Sequence, residues 1–200
     1  MLKFISDIDQ SILLWIHQYM TNPIFDLLMP FITHEENWVF PILLLLLFLG
    51  IKGGKRGKIT LLLLIIALSI TDSLCAQVLK PLFERIRPSH LDIEGISLLV
   101  SKGGKWSMPS NHAANMFALS VVLSYFYQKT SLAIYSLALL ITFSRVYVGV
   151  HFPGDVIAGA FIGYITSWLA LTLWVILKMR ELKKGRTWVW YEDQPPIFKY

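Results

Sequence analysis

Long apolar runs alternate with short polar breaks along the chain, and five of the runs stand out: Asn37 to Gly53, Ile59 to Leu79, Pro109 to Gln128, Ser131 to Val150 and Pro153 to Leu177. A helix needs about 20 apolar residues to cross a bilayer core, and about 17 at the least. Each run therefore predicts a membrane span, the first being the shortest. Ile59 to Leu79 carries a single charge, Asp72. Ahead of these runs, residues 3–33 place Ile8, Ile12, Trp15, Ile16 and Tyr19 at helical spacing, broken by polar residues and by Asn22-Pro23. That pattern predicts helices lying at the interface, with part of the segment able to supply a sixth span. The expected fold is an all-α polytopic membrane helix bundle of five or six spans with an N-terminal interfacial segment, forming one integral membrane domain over residues 1–200. Gly159 and Gly163, four apart in the last run, predict a close helix contact.

Composition agrees with this picture: 55% of residues are hydrophobic and 16% charged, far from the usage of a soluble domain. A net charge of +5 raises the question of nucleic acid, and the placement of the basic residues answers it. Eleven fall on one side of the predicted spans: Lys52, Lys55, Arg56, Lys58, Lys129, Lys178, Arg180, Lys183, Lys184, Arg186 and Lys199. Seven fall on the other: Lys3, Lys80, Arg85, Arg87, Lys102, Lys105 and Arg145. Basic residues accumulate on the cytoplasmic side, so the side with seven faces outward. The partner implied is the lipid bilayer, not nucleic acid, and the location a cytoplasmic (inner) membrane crossed several times. Cys75 is the single cysteine and lies in an apolar run, which excludes a disulfide framework and a thiolate metal site. Asp7, Asp9 and Gln10 interrupt the stretch a signal peptide would need, so the chain is expected to be mature as it stands.

Two loops meet on the outer face: Lys80 to Met108 and the turn around His151. Three blocks border them: Lys80 with Arg87-Pro88, then Pro109-Ser110-Asn111-His112, then Ser144-Arg145 with His151 and Asp155. Singly, each has a structural explanation, as snorkelling flank residues or interfacial histidines. Together they supply the parts of one reaction. A phosphoryl group in transfer spreads negative charge over its oxygens, so a metal-free site needs fixed cations and backbone donors. Lys80, Arg87 and Arg145 are the cations. Pro109 is placed to begin a helix, whose N-terminus offers free N–H groups at Ser110, Asn111 and His112, with the Ser110 hydroxyl beside them. One histidine attacks phosphorus while neutral and another protonates the departing oxygen. Asp155, four residues after His151, is placed to accept its ring N–H and fix the tautomer. Asp72 is expected to bond Thr71, Ser73 or a neighbouring span. The outer acids Glu84, Asp92 and Glu94 form no cluster of oxygen ligands, so neither a metal nor a cofactor is expected.

These blocks resemble the three signature motifs of the type 2 phosphatidic acid phosphatase superfamily, membrane relatives of the vanadium haloperoxidases. The family pattern is Lys, six residues, Arg-Pro; Pro-Ser-Gly-His; and Ser-Arg, five residues, His, three residues, Asp. Every spacing is kept here. The resemblance implies that His151 is the nucleophile that forms a phosphohistidine, that Asp155 orients it and that His112 is the general acid. It also implies that Lys80, Arg87, Ser110, Asn111 and Arg145 bind phosphate. Asn111 replaces the family glycine, and Asn is the residue that best tolerates a left-handed backbone in its place. The substrate implied is a lipid phosphate or pyrophosphate. Undecaprenyl pyrophosphate is the first expectation, because the site faces outward, the chain is compact, and Arg85, Lys102 and Lys105 remain to hold a second phosphate. Phosphatidylglycerophosphate, phosphatidic acid and lipid A phosphate are its rivals. A protein that only binds or translocates lipid phosphates is the alternative from another class.

Overall fold

In a computed structural model, residues 2–192 are described, with side chains from Ser6 onward. Lys199 and the Lys3 side chain, both counted in the charge asymmetry, lie outside the described residues. Eight α-helices follow in order: α1 Leu2–Tyr19, α2 Pro23–Thr33, α3 Glu36–Leu47, α4 Gly54–Ser73, α5 Lys80–Phe83, α6 Asn111–Phe126, α7 Ser131–Tyr147 and α8 Pro153–Lys183. No strand occurs among the described residues, as the all-α expectation required.

Local chemistry sets several of these boundaries. Asn22 caps α2, its side-chain oxygen accepting from the N–H groups of Ile24 and Phe25, with Pro23 in the first turn where no N–H is needed. A π-helical turn, Leu74–Leu79, joins α4 to α5 and resets the phase at which Lys80 leaves the helix. Glu84, at φ 46°, ends α5 and releases the chain into the outer loop.

Three helical stretches are long and apolar enough to cross a membrane: Gly54–Phe83, Gln128–Tyr147 and Pro153–Lys183. Pro23–Thr33 and Glu36–Lys52, bent by 53° at the break between them, make a fourth if counted as one broken span. Two of the five predicted runs are not among these stretches on their own. The run Pro109 to Gln128 becomes α6, whose 16 residues reach only about 24 Å. The run Asn37 to Gly53 is continued by α2 instead of standing alone. A belt of exposed apolar side chains, among them Leu27, Phe31, Phe40, Ile65, Phe161 and Leu173, faces outward as a lipid-contacting surface must. The helix α1 buries Asp9, Leu13, Ile16 and His17 against the bundle and leaves Ile8, Ile12, Trp15 and Tyr19 exposed.

The short helix α6 is the hub, packed on α8, α4 and α7. Its approach to α8 depends on the two glycines. A Cβ on Gly159 would collide with the Ser110 carbonyl oxygen, and one on Gly163 with that of Ala114. This contact sets the start of α6 beside the start of α8. Gly163→Val should therefore lower the thermal midpoint in detergent by about 3–10 °C, the usual cost of overpacking a close contact. Gly104→Ala, whose added Cβ meets nothing within 4 Å, should leave it unchanged, and equal midpoints for both variants would refute the close contact.

Candidate active site

Five of the predicted site residues converge electrostatically. His112 feels Arg145, His151, Arg87 and Lys80, and His151 feels Arg87, Arg145 and Lys80. They arrive from separate places: Lys80 from the first residue of α5, Arg87 from the loop after it, His112 from the start of α6, Arg145 from the last turn of α7, and His151 from the turn before α8. Ser110 is the N-cap of α6, its hydroxyl oxygen 3.5 Å from the Ala113 N–H it accepts. The hydroxyl proton remains free to donate to an anion at that helix end. The Ser110 N–H donates to the Asp155 main-chain carbonyl at 3.0 Å, joining the two helix starts directly.

The cations are held by main chain and by distant helices. Arg87 is buried, its Nε donating to the Trp106 carbonyl at 3.2 Å. Gly103, at φ +68°, passes so close that a Cβ there would press on the Arg87 guanidinium, so glycine is required for both reasons. Arg145 donates to the Thr33 hydroxyl at 2.7 Å. The N-terminal segment thus reaches the site through α2, which its interfacial pattern did not announce.

His151 is 1% exposed and Asp155 fully buried. Burial, then the cations Arg87, Arg145 and Lys80, push the His151 imidazole well below its usual range, with a Ser107 main-chain bond acting the other way. At neutral pH the ring is therefore uncharged, as a nucleophile must be. Its Nδ1 lies 3.4 Å from Asp155 Oδ2, within ion-pair reach but without hydrogen-bond alignment. That oxygen instead accepts the Phe152 N–H at 2.8 Å as part of the α8 cap. The other, Oδ1, accepts from Arg85 at 2.9 Å and from the Ser107 hydroxyl at 3.3 Å.

Arg85 was expected to hold a second phosphate and Asp9 had no expected role in the site, yet both are tied to Asp155 through the Arg85 guanidinium. Arg85 forms ion pairs with Asp155 and with Asp9 of α1, and lies over the Phe152 ring at 4.2 Å. Asp9 also accepts the Gly154 N–H at 2.6 Å. A usable signal existed, since Asp9 sits four residues before buried Leu13 on the inward face of α1, where a carboxylate needs a partner. These pairings remove Arg85 from the set expected to hold a second phosphate. Lys102 and Lys105 are exposed, with Lys105 placed over Trp106 at 4.7 Å.

Asp72 is bonded to the neighbouring helix, the last of the options its sequence left open. Its Oδ1 accepts from the side-chain amides of Asn111 at 2.8 Å and Asn115 at 3.0 Å. The Asn111 amide is thereby turned toward α4, and what that residue can offer phosphate is its main-chain N–H. These residues border a cavity of about 690 Å³ between α3, α6 and α7. His112, Asn111, Asn115 and Asp72 are among its lining residues, together with apolar ones such as Trp38 and Leu119. No group of three or more metal-ligating side chains occurs among the described residues.

The PAP2 superfamily pattern matches residues 58–178. The chain is similar to the lipid A 4'-phosphatase of Bacteroides thetaiotaomicron, 35% identical over 177 residues covering 84% of this chain and 78% of the relative. It is also similar to an undecaprenyl-diphosphatase of Sulfolobus acidocaldarius, 33% identical over 142 residues and covering 70% and 64%. The crystal structure of Aquifex aeolicus LpxE superposes with a TM-score of 0.68 at 28% identity, covering 82% of this chain and 94% of that one. With the family match spanning more than half of the sequence and the fold shared, the chain belongs to the PAP2 superfamily and is a hydrolase acting on lipid phosphate.

Proposed function

We propose that this protein removes a phosphate monoester from a glycolipid of the lipid A kind, at the outer face of the cytoplasmic membrane and without a metal. The observation that carries the choice is the commitment of Arg85 to Asp155 and Asp9. It leaves one phosphate clamp, made of Lys80, Arg87, Arg145 and the start of α6, and, among the described residues, no further buried cation for a second phosphate. The similarity to a lipid A 4'-phosphatase over 84% of the chain supports the same reading. Undecaprenyl pyrophosphate, the first expectation from sequence, becomes the second reading, favoured by the 33% identical undecaprenyl-diphosphatase. A purely lipid-binding role leaves the buried, neutral His151 beside an acid without purpose.

In the reaction, the phosphate oxygens lie among the three cations, the Ser110 hydroxyl and the Asn111 and His112 N–H groups, the Ser110 N–H being held by the Asp155 carbonyl. The His151 nitrogen remote from Asp155 attacks phosphorus as the bond to the sugar oxygen breaks. Burial, then Arg145, His151, Arg87 and Lys80, push the pKa of the free His112 imidazole down to about 3. Its proton therefore arrives with the bound phosphate, whose charge offsets those cations, and passes to the sugar oxygen. Water then attacks the phosphohistidine, giving its proton to His112, and inorganic phosphate leaves. Asp155 stabilises the imidazolium character that His151 gains, by proximity more than by a hydrogen bond.

The purified chain should release phosphate in excess EDTA and be blocked by vanadate, which imitates the five-coordinate transition state. Its kcat/KM should be higher for a lipid A monophosphate than for undecaprenyl pyrophosphate, phosphatidylglycerophosphate or phosphatidic acid in the same detergent. A higher value for undecaprenyl pyrophosphate would restore the second reading, whereas loss of all turnover in EDTA would overturn the mechanism.

A further inference from the structure

We propose that Asp72, Asn111 and Asn115 form a head-group subsite that takes a hydrogen-bond donor, a hydroxyl or amide N–H carried by the sugar next to the reacting phosphate. The proposal deepens the glycolipid reading above and rests on it for the identity of the sugar. Asp72 stands in the apolar run of α4, where an exposed carboxylate is costly and calls for a function. A carboxylate only accepts, so both amides must turn their NH₂ groups toward it and their carbonyl oxygens away. The result is lopsided. Oδ1 receives both amides, while no hydrogen bond reaches Oδ2. The carbonyl oxygens of Asn111 and Asn115 are buried with no donor among the described residues. Three acceptors thus lack donors in one small region.

A clamp serving only to pin α4 to α6 would be complete with one amide and would have no reason to open into a cavity. This cluster does open into one: Asp72, Asn111 and Asn115 all line the cavity that His112 also lines. Asn111 also lies between Ser110 and His112 in sequence, so a group attached to the bound phosphate is delivered to the cluster. The Asp72 charge selects further. It repels a second phosphate and favours a neutral, donor-rich group. Polyprenyl and phosphatidic acid substrates carry no donor at the corresponding place, and a site built to bond a donor discriminates against analogues that lack it.

The test compares kcat/KM for a lipid A monophosphate with that for phosphatidic acid in the wild type, Asp72→Asn and Asn115→Ala. The wild-type ratio should fall about tenfold or more in each variant through loss on the glycolipid alone. Phosphatidic acid should change by less than about threefold. An unchanged ratio, or equal loss on both substrates, would overturn the subsite, the second outcome marking a purely structural clamp. If the wild type instead prefers undecaprenyl pyrophosphate, the glycolipid reading fails separately. The subsite is then decided by phosphatidylglycerophosphate, whose glycerol carries a free hydroxyl, against phosphatidic acid. Asp72→Asn should abolish that preference, and a preference that survives would overturn the subsite.

Discussion

His151→Ala is expected to lower turnover by about 10⁴-fold or more, since removal of a nucleophile leaves only binding and charge stabilisation. Rapid quenching with ³²P-labelled substrate should trap a phosphoenzyme in the wild type and none in this variant. His112→Ala should behave differently. Loss of a general acid costs about 10²- to 10⁴-fold when the departing oxygen needs its proton. A lipid alcohol is such a leaving group, whereas p-nitrophenolate is stable as an anion. The His112→Ala defect should therefore be large for the lipid and at least about tenfold smaller for p-nitrophenyl phosphate. The geometry supports this division, because His151 is buried at 1% exposure beside Asp155, whereas His112 lines the cavity open to a lipid. Equal trapping in wild type and His151→Ala would remove His151 from the nucleophile role.

The parts of the site that were legible in the sequence are those fixed by short-range rules. Pro109 and Ser110 announce the start of α6, and Pro153 that of α8, so the residues around them could be assigned to helix ends before any fold was known. The spacing from Lys80 to Arg87 and from Arg145 to Asp155 needs no tertiary information. What stayed hidden depends on partners far apart in the chain. Thr33 meets Arg145 across 112 residues, and no local pattern marks a threonine hydroxyl as a guanidinium acceptor. Asp72 was visible as a costly charge, but its partners on α6 were not, because Asn111 was read only as a backbone donor to phosphate and Asn115 carried no signal of its own. The number of spans was less legible for a different reason. Hydropathy registers the composition of the run Pro109 to Gln128, yet the length of α6 is set by the cap at Ser110 and by a 3₁₀ turn at Gln128–Thr130.

Arg85→Ala should reduce kcat by about 10²-fold while leaving KM within about threefold of wild type. Asp155 is fully buried, and Arg85 is the cation in direct ion pair with it. Removing one member of a buried pair costs about 3–5 kcal/mol because the other charge is stranded. The side chain of Arg85 is 21% exposed, so the lower end applies, and about 3 kcal/mol carried into the barrier is near 10²-fold. The remaining contacts of Asp155, the Phe152 N–H and the Ser107 hydroxyl, cannot replace a full charge. The carboxylate then faces His151 less firmly at the moment the ring becomes cationic. Arg85→Lys keeps the charge without the fork that joins Asp155 to Asp9, and should recover only part of the loss. Asp9→Asn tests the far end of the same chain of contacts. It preserves an acceptor for the Gly154 N–H, so its effect should be confined to about three- to tenfold in kcat. The discriminating quantity is the split between the two kinetic constants. A rise in KM for the lipid phosphate with kcat intact would place Arg85 in the phosphate clamp and return it to the role of holding a second phosphate.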